Sequence, residues 1–162
     1  MERVSKENYY LDIAQTVAER STCLRRRFGA IIVKDDSIVS TGYNGAPRGR
    51  KNCSDIGDCY RERLGIPRGE RYELCRSVHA EQNAIIAASR EETNGATLYL
   101  ACTDPTTGAI IGGTSSCPMC RRTVINAGIT RVVIRNDATH YSVVEVNDWI
   151  LDDDSLSGKF GY

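Results

Sequence analysis

The sequence predicts an α/β protein, and two observations predict it. Short apolar runs of strand character recur along the chain at 29–33, 37–41, 96–102 and 131–134. Between them lie stretches with apolar residues at helical spacing, and strands alternating with helices imply a layered α/β sheet. The first helix is expected over 5–21. There Tyr9, Ile13 and Val17, and Leu11, Ala14 and Ala18, recur at helical intervals, with Ser5 as a suitable N-cap. Strand 29–33 should pair with 37–41 through a turn at Asp35-Asp36. A second helix is expected over 79–89 and a third over 117–127, closed by Gly128. Strand 131–134 follows, and 142–151 reads as strand then helix. Two segments break the pattern. The stretch 42–76 is rich in Gly, Pro, Arg and Cys without periodicity, and 103–116 is rich in Gly and Thr. Structureless loops of that length are uncommon in a compact domain and usually functional.

The chain has 162 residues, enough for one domain with one substantial core. A single domain over 1–151 is expected, followed by an acidic tail, 152–162, that opens with Asp152-Asp153-Asp154. Basic and acidic side chains balance at 21 each. Proteins that grip long nucleic acids usually carry a basic excess, so the balance favours a small ligand over a nucleic-acid polymer. Residues 1–7 are polar and no run is long enough to cross a bilayer, so a cytoplasmic location without membrane contact is expected. Seven cysteines in such a compartment are more often metal ligands or buried thiols than disulfides.

Two segments carry chemistry: Ser77-Val78-His79-Ala80-Glu81 and Ser116-Cys117-Pro118-Met119-Cys120. One imidazole and two thiolates suit tetrahedral zinc and leave its fourth position open. Two cysteines at this spacing reach one metal from the first turn of a helix, where the dipole favours thiolates. His79 and Glu81 are two apart and do not share a helix face, so both serve one site only at a helix start. The pattern thus predicts two helix N-termini converging on one zinc, held by His79, Cys117 and Cys120. Glu81 would be the catalytic acid/base beside it. The alternatives are a structural zinc knuckle, or a redox C-x-x-C pair with an unrelated histidine. The order H-x-E then C-x-x-C resembles the zinc-deaminase signature, which has proline before the first cysteine. Here Ser116 takes that place and Pro118 follows Cys117, where it suits the first helical position if Cys117 is the N-cap.

Further segments extend the resemblance. His79-Ala80-Glu81-Gln82-Asn83-Ala84-Ile85 and Gly42-Tyr43-Asn44-Gly45-Ala46-Pro47 together resemble the deoxycytidylate (dCMP) deaminase family. Arg27 to Val33 and Ile125-Asn126-Ala127-Gly128-Ile129 fit the same pattern, which runs from about residue 8 to residue 144. The resemblance implies a cytidine-deaminase fold, three layers (α/β/α) around a five-stranded mixed sheet. It implies hydrolysis of dCMP to dUMP and ammonia with a catalytic zinc, and commonly a homohexamer. Many members are activated by dCTP, with Mg²⁺ as the effector's expected companion, and inhibited by dTTP. Gly42, Tyr43, Asn44 and Gly45 are then candidates for nucleotide recognition and regulation.

Asn44 matches the family position near the substrate's sugar, and an amide that both donates and accepts suits a hydroxyl. It is also an ordinary turn residue before glycine. Ala80 and Tyr141 are further substrate candidates. Tyr141 would stack on the base or sugar, as similar deaminases do, or would simply stand at a strand edge. Within Arg25-Arg26-Arg27 at least one guanidinium would take the 5′-phosphate, and Arg27 is the candidate; such runs are more often solvated. Several family members carry a second, structural zinc, for which Cys23, Cys53, Cys59 and Cys75 are the candidates, against the alternative of buried unligated thiols. Related deaminases act on cytidine, guanine, a riboflavin precursor or tRNA adenosine. A non-catalytic zinc module is the alternative of a different class.

Overall fold

A computed structural model of the chain describes residues 1–153 and Leu156. Its centre is one five-stranded mixed sheet in the order β2-β1-β3-β4-β5. The strands are β1 (Arg27–Lys34), β2 (Ser37–Tyr43), β3 (Thr97–Thr103), β4 (Arg131–Arg135) and β5 (Tyr141–Glu145). Only β3 and β4 run parallel; the other neighbours are antiparallel. The turn from β1 to β2 places Asp35 and Asp36 at φ 51° and 59°. Two positive φ values match the twist of paired strands, and Asp tolerates them.

Alternation along the strands divides the apolar residues between two layers. Ile31, Val33, Tyr99, Ala101 and Val133 meet Tyr10, Leu11 and Ala14 of α1 (Lys6–Ala18). Ser5 caps α1 by accepting from the Asn8 N–H. On the opposite face Ala30, Ile32, Leu98, Leu100, Val132 and Ile134 pack beneath three helices. Two of these are α4 (Ala80–Ile86) and α6 (Pro118–Asn126). The third is α7 (Val146–Leu151), which buries Val146 in the same layer. Helices on both faces of a mixed sheet are the three layers that the resemblance implies. Alanines and glycines let these layers approach closely. A Cβ on Gly29 would lie 2.0 Å from the Ala14 carbonyl of α1, and one on Gly42 2.3 Å from the Ala84 nitrogen of α4.

The irregular segment between β2 and α4 is partly ordered. It contains α2 (Cys53–Ile56), α3 (Tyr60–Arg63) and a 3₁₀ turn at Tyr72–Leu74. The helix expected over 79–89 stops at Ile86, and α5 (Arg90–Thr93) begins separately behind the Ser89 cap. Ser89 accepts from the Glu92 N–H, and that local bond competes with continued helix. The expected tail, 152–162, lies outside the described residues except for Asp152, Asp153 and Leu156.

Candidate metal centre and substrate pocket

The connection from β3 to the parallel strand β4 runs through α6, and α6 starts beyond the carboxyl end of β3. In open α/β sheets ligands bind at such ends. Cys117 is the N-cap of α6, accepting from the Cys120 N–H, with Pro118 at the first helical position. Proline there sacrifices no hydrogen bond, so the helix start is fixed where the thiols are needed. His79 is the N-cap of α4, and its backbone N–H donates to Gln82 Oε1 at 3.0 Å. The two helix N-termini therefore converge.

His79 Nδ1 lies 3.5 Å from Cys117 Sγ and 3.3 Å from Cys120 Sγ. Zinc with bonds of about 2.3 Å to sulfur and about 2.0 Å to nitrogen in tetrahedral geometry spaces those atoms about 3.5 Å apart. The donor set and spacing fit a zinc ion. Among the described residues, this is the only group of three or more metal-binding side chains whose ligand atoms all lie within 4.8 Å of one another. The electrostatics agree. Burial opposes a charge on His79, but hydrogen bonds with Cys117 and Cys75 outweigh it and raise its pKa to about 10. The Cys117 thiol is held down by its hydrogen bond with Cys120 and then by His79, while the same bond and burial push Cys120 up. Metal ligands must be deprotonated, so a cation bound here would displace protons from these groups. Glu81, in the first turn of α4, is 4% exposed, and burial raises its pKa against the pull of His79.

These groups open into a cavity of about 410 Å³. Asn44 and Ala80 line it, as do Arg25, Arg26, Arg61 and Arg68, facing only the carboxylates of Glu62 and Glu81. A chain with balanced charge has gathered a basic pocket here. The Asn44 amide is largely committed: its Oδ1 accepts from Ser21 and from the Phe28 N–H, and its Nδ2 donates to the Arg26 carbonyl at 2.9 Å. That leaves it one N–H.

Not every expected residue reaches the pocket. Arg27 does not line it. Arg27 shares the strand parity of Ile31 and Val33, which face α1, whereas Arg26 shares that of Phe28, Ala30 and Ile32, which face α4. That parity was readable in the sequence once the apolar run of β1 had been recognised. Tyr141, at the start of β5, packs in the α1 layer with Tyr10 and Leu11, across the sheet from α4 and α6. Of Gly42, Tyr43, Asn44 and Gly45, only Asn44 lines the cavity. Gly42 lies against the backbone of α4, Tyr43 is exposed, and Gly45 bridges to Val78. Cys23, Cys53, Cys59 and Cys75 border a neighbouring cavity of about 490 Å³, but their sulfurs are not drawn into a cage. Burial raises the pKa of Cys23 and of Cys53. The residues that sequence reasoning missed, Arg61, Arg68 and Tyr72, sit in the segment without periodicity, where nothing local points them inward.

The comparisons with known proteins agree with this geometry. Residues 4–136 match the family model described as the cytidine and deoxycytidylate deaminase zinc-binding region. The chain belongs to that deaminase family. A deoxycytidylate deaminase of Mycobacterium phage D29 is 38% identical over 138 residues, covering 82% of this chain and 96% of the relative. The deoxycytidylate deaminase of Schizosaccharomyces pombe is 35% identical over 132 residues, but the match spans only 37% of that longer protein. Among solved structures, the dCMP deaminase of cyanophage S-TIM5 in complex with dCMP and dUMP superposes with a TM-score of 0.61. It is 27% identical, with 99% of this chain and 98% of that one covered. A cytidine deaminase of Burkholderia pseudomallei, 19% identical with a TM-score of 0.55, shares the fold.

Proposed function

We propose that this deaminase-family chain hydrolyses dCMP: water adds at C4 of the base, the amine leaves as ammonia, and dUMP is the product. The observation that carries the reading is a buried carboxylate beside an imidazole-dithiolate trio, in a pocket lined by four arginines. Zinc, when bound by His79, Cys117 and Cys120, supplies a Lewis acid that brings the pKa of a bound water toward neutrality. Glu81 takes a first proton from the attacking water and passes it to the ring nitrogen, then takes the second from the new hydroxyl at C4 and passes it to the departing amine. Its raised pKa suits a group that must hold a proton for part of the cycle. The Ala80 N–H, in the first turn of α4, has no intrahelical partner and suits the carbonyl of the base. The remaining Asn44 N–H suits a sugar hydroxyl.

The phosphate falls to Arg26 and Arg68. Arg25 is already paired with Glu62 at 3.1 Å, and Arg61 is committed to backbone carbonyls. Arg26 Nη1 is sealed from solvent without a hydrogen-bond partner among the described residues. A basic pocket favours a nucleotide over a free base or nucleoside. The family resemblance extends the reading to a homohexamer, to regulation by dCTP with Mg²⁺ and by dTTP, and to the cytoplasm, where the free cysteines are also at home. One zinc per chain suffices for the reaction. A second at Cys23, Cys53, Cys59 and Cys75 would require those sulfurs to close in.

An ammonia-release assay over dCMP, CMP, dCTP, deoxycytidine and guanine, with and without dCTP as effector, tests the reading. dCMP should be preferred, and Glu81→Gln should keep its zinc while losing about 10²-fold or more in rate. Ammonia release that survives this substitution unchanged would remove the proposed chemistry.

A further inference from the structure

The segment between β2 and α4 has almost no apolar core, yet it builds one wall of the pocket. At its centre is Arg61, a charged residue only 5% exposed. Its Nη2 donates to two backbone carbonyls, Pro67 at 2.8 Å and Glu70 at 2.7 Å. Its guanidinium lies over the ring of Tyr72, 4.3 Å from the centroid. The Tyr72 hydroxyl accepts from the Gly69 N–H at 3.2 Å. The ring then meets the His79 imidazole in a T-shaped arrangement, with centroids 5.2 Å apart and planes at 84°. Each link from Arg61 to the metal ligand is in contact, and both Arg61 and Tyr72 border the cavity.

His79 needs such support. Its backbone is fixed as the α4 N-cap, so the plane of the ring is set by the side chains around it. A metal-bound histidine usually has its second ring nitrogen hydrogen-bonded to a carboxylate, a carbonyl or water, which sets the ring plane. Among the described residues no carboxylate or backbone carbonyl is hydrogen-bonded to the His79 ring. Against it lie the metal-site thiols, the Cys75 thiol and the Tyr72 ring.

We propose that Arg61 and Tyr72 are positioning residues that clamp the His79 imidazole in the plane that aims Nδ1 at the metal. Retention of the metal and turnover then depend on a side chain in the irregular wall that touches neither metal nor reacting atoms. The inference rests on His79 being a metal ligand. Arginine is required because its planar fork bridges two carbonyls while its face stacks on a ring, which a lysine ammonium cannot do.

The test uses the full chain loaded with zinc or cobalt, and the variants Tyr72→Phe, Tyr72→Ala, Arg61→Lys and Arg61→Ala. Three quantities are read: the rate of metal release to a chelator, the visible spectrum of the cobalt form, and kcat and KM for dCMP. Tyr72→Phe keeps the ring and should stay near wild type. Tyr72→Ala, Arg61→Ala and Arg61→Lys should release metal about 10-fold or more faster, shift the cobalt bands and lower kcat more than they raise KM. The double variant Arg61→Ala/Tyr72→Ala should be no worse than the stronger single one, because both act through one contact. Arg61→Lys retains the cation and guards against mere loss of folding, which circular dichroism checks. Unchanged metal release and cobalt spectrum in folded Tyr72→Ala and Arg61→Lys would overturn the clamp, even if KM moved. His79→Ala separates the two claims: full metal binding by that variant would overturn the metal reading itself.

Discussion

Gly42→Ala should damage activity far more than stability. A Cβ at position 42 would sit 2.3 Å from the Ala84 nitrogen, 2.4 Å from the Ala80 carbonyl oxygen and 2.9 Å from the Asn83 carbonyl carbon. All three are backbone atoms of α4, so no side chain can swing aside. Non-bonded carbon contacts settle at about 3.5 Å, so α4 must retreat from β2 by roughly 1 Å. Overpacking of this kind costs about 1–3 kcal/mol. For a domain of this size that is a fall in Tm of roughly 2–12 °C. The consequence for catalysis is larger, because the metal centre is assembled from two helices. Moving α4 carries His79 and Glu81 away from Cys117 and Cys120, which stay on α6. A misplacement of about 1 Å can cost on the order of 10²-fold in rate. Thermal melts and steady-state kinetics on zinc-loaded protein measure both effects. Gly45→Ala, whose Cβ would meet side chains alone, nearest the Thr22 hydroxyl at 3.2 Å, should lower Tm much less. A Gly42→Ala variant with wild-type kcat and Tm would refute the claim that this close approach seats the catalytic helix.

Three other outcomes follow from the same structure. Arg26→Ala should lower kcat/KM for dCMP by roughly 10–100-fold, the worth of a charge-assisted hydrogen bond to phosphate, and leave deoxycytidine turnover unchanged; equal losses on both substrates would argue against a phosphate contact. Metal analysis should return one zinc per chain, with activity lost on chelation and restored by zinc, whereas two zincs would show that Cys23, Cys53, Cys59 and Cys75 close on a second ion. Acid should remove one local support: backbone N–H groups of Thr139 and His140 hold the Asp137 carboxyl down to about 2. A depressed folded-state pKa contributes stability above the ordinary carboxylate value and loses it as pH falls, so the Tm gap between wild type and Asp137→Asn should be constant above about pH 5 and close between about pH 4 and pH 2; a gap independent of pH would contradict this.

Much of the protein was legible in its sequence because the relevant physics is local. Strand and helix periods place apolar side chains on faces within a few residues, so the alternation of Ala30 and Ile32 with Ile31 and Val33 marks two packed layers. Cys117 with Pro118, and His79 ahead of Glu81, are helix starts written in adjacent residues, and zinc's preference for nitrogen and sulfur makes their combination specific. Tertiary structure decided what depends on distant contacts. It put Arg26, and not Arg27, in the lining of the cavity, and it put Tyr141 in the α1 layer. It assigned Gly42 to seating α4, where a sequence motif suggested ligand recognition. Above all it ordered the wall between β2 and α4, whose residues have no period to read. A buried guanidinium there takes the place of an apolar core, and its partners, Pro67, Glu70 and Tyr72, are joined by geometry that only the folded chain supplies.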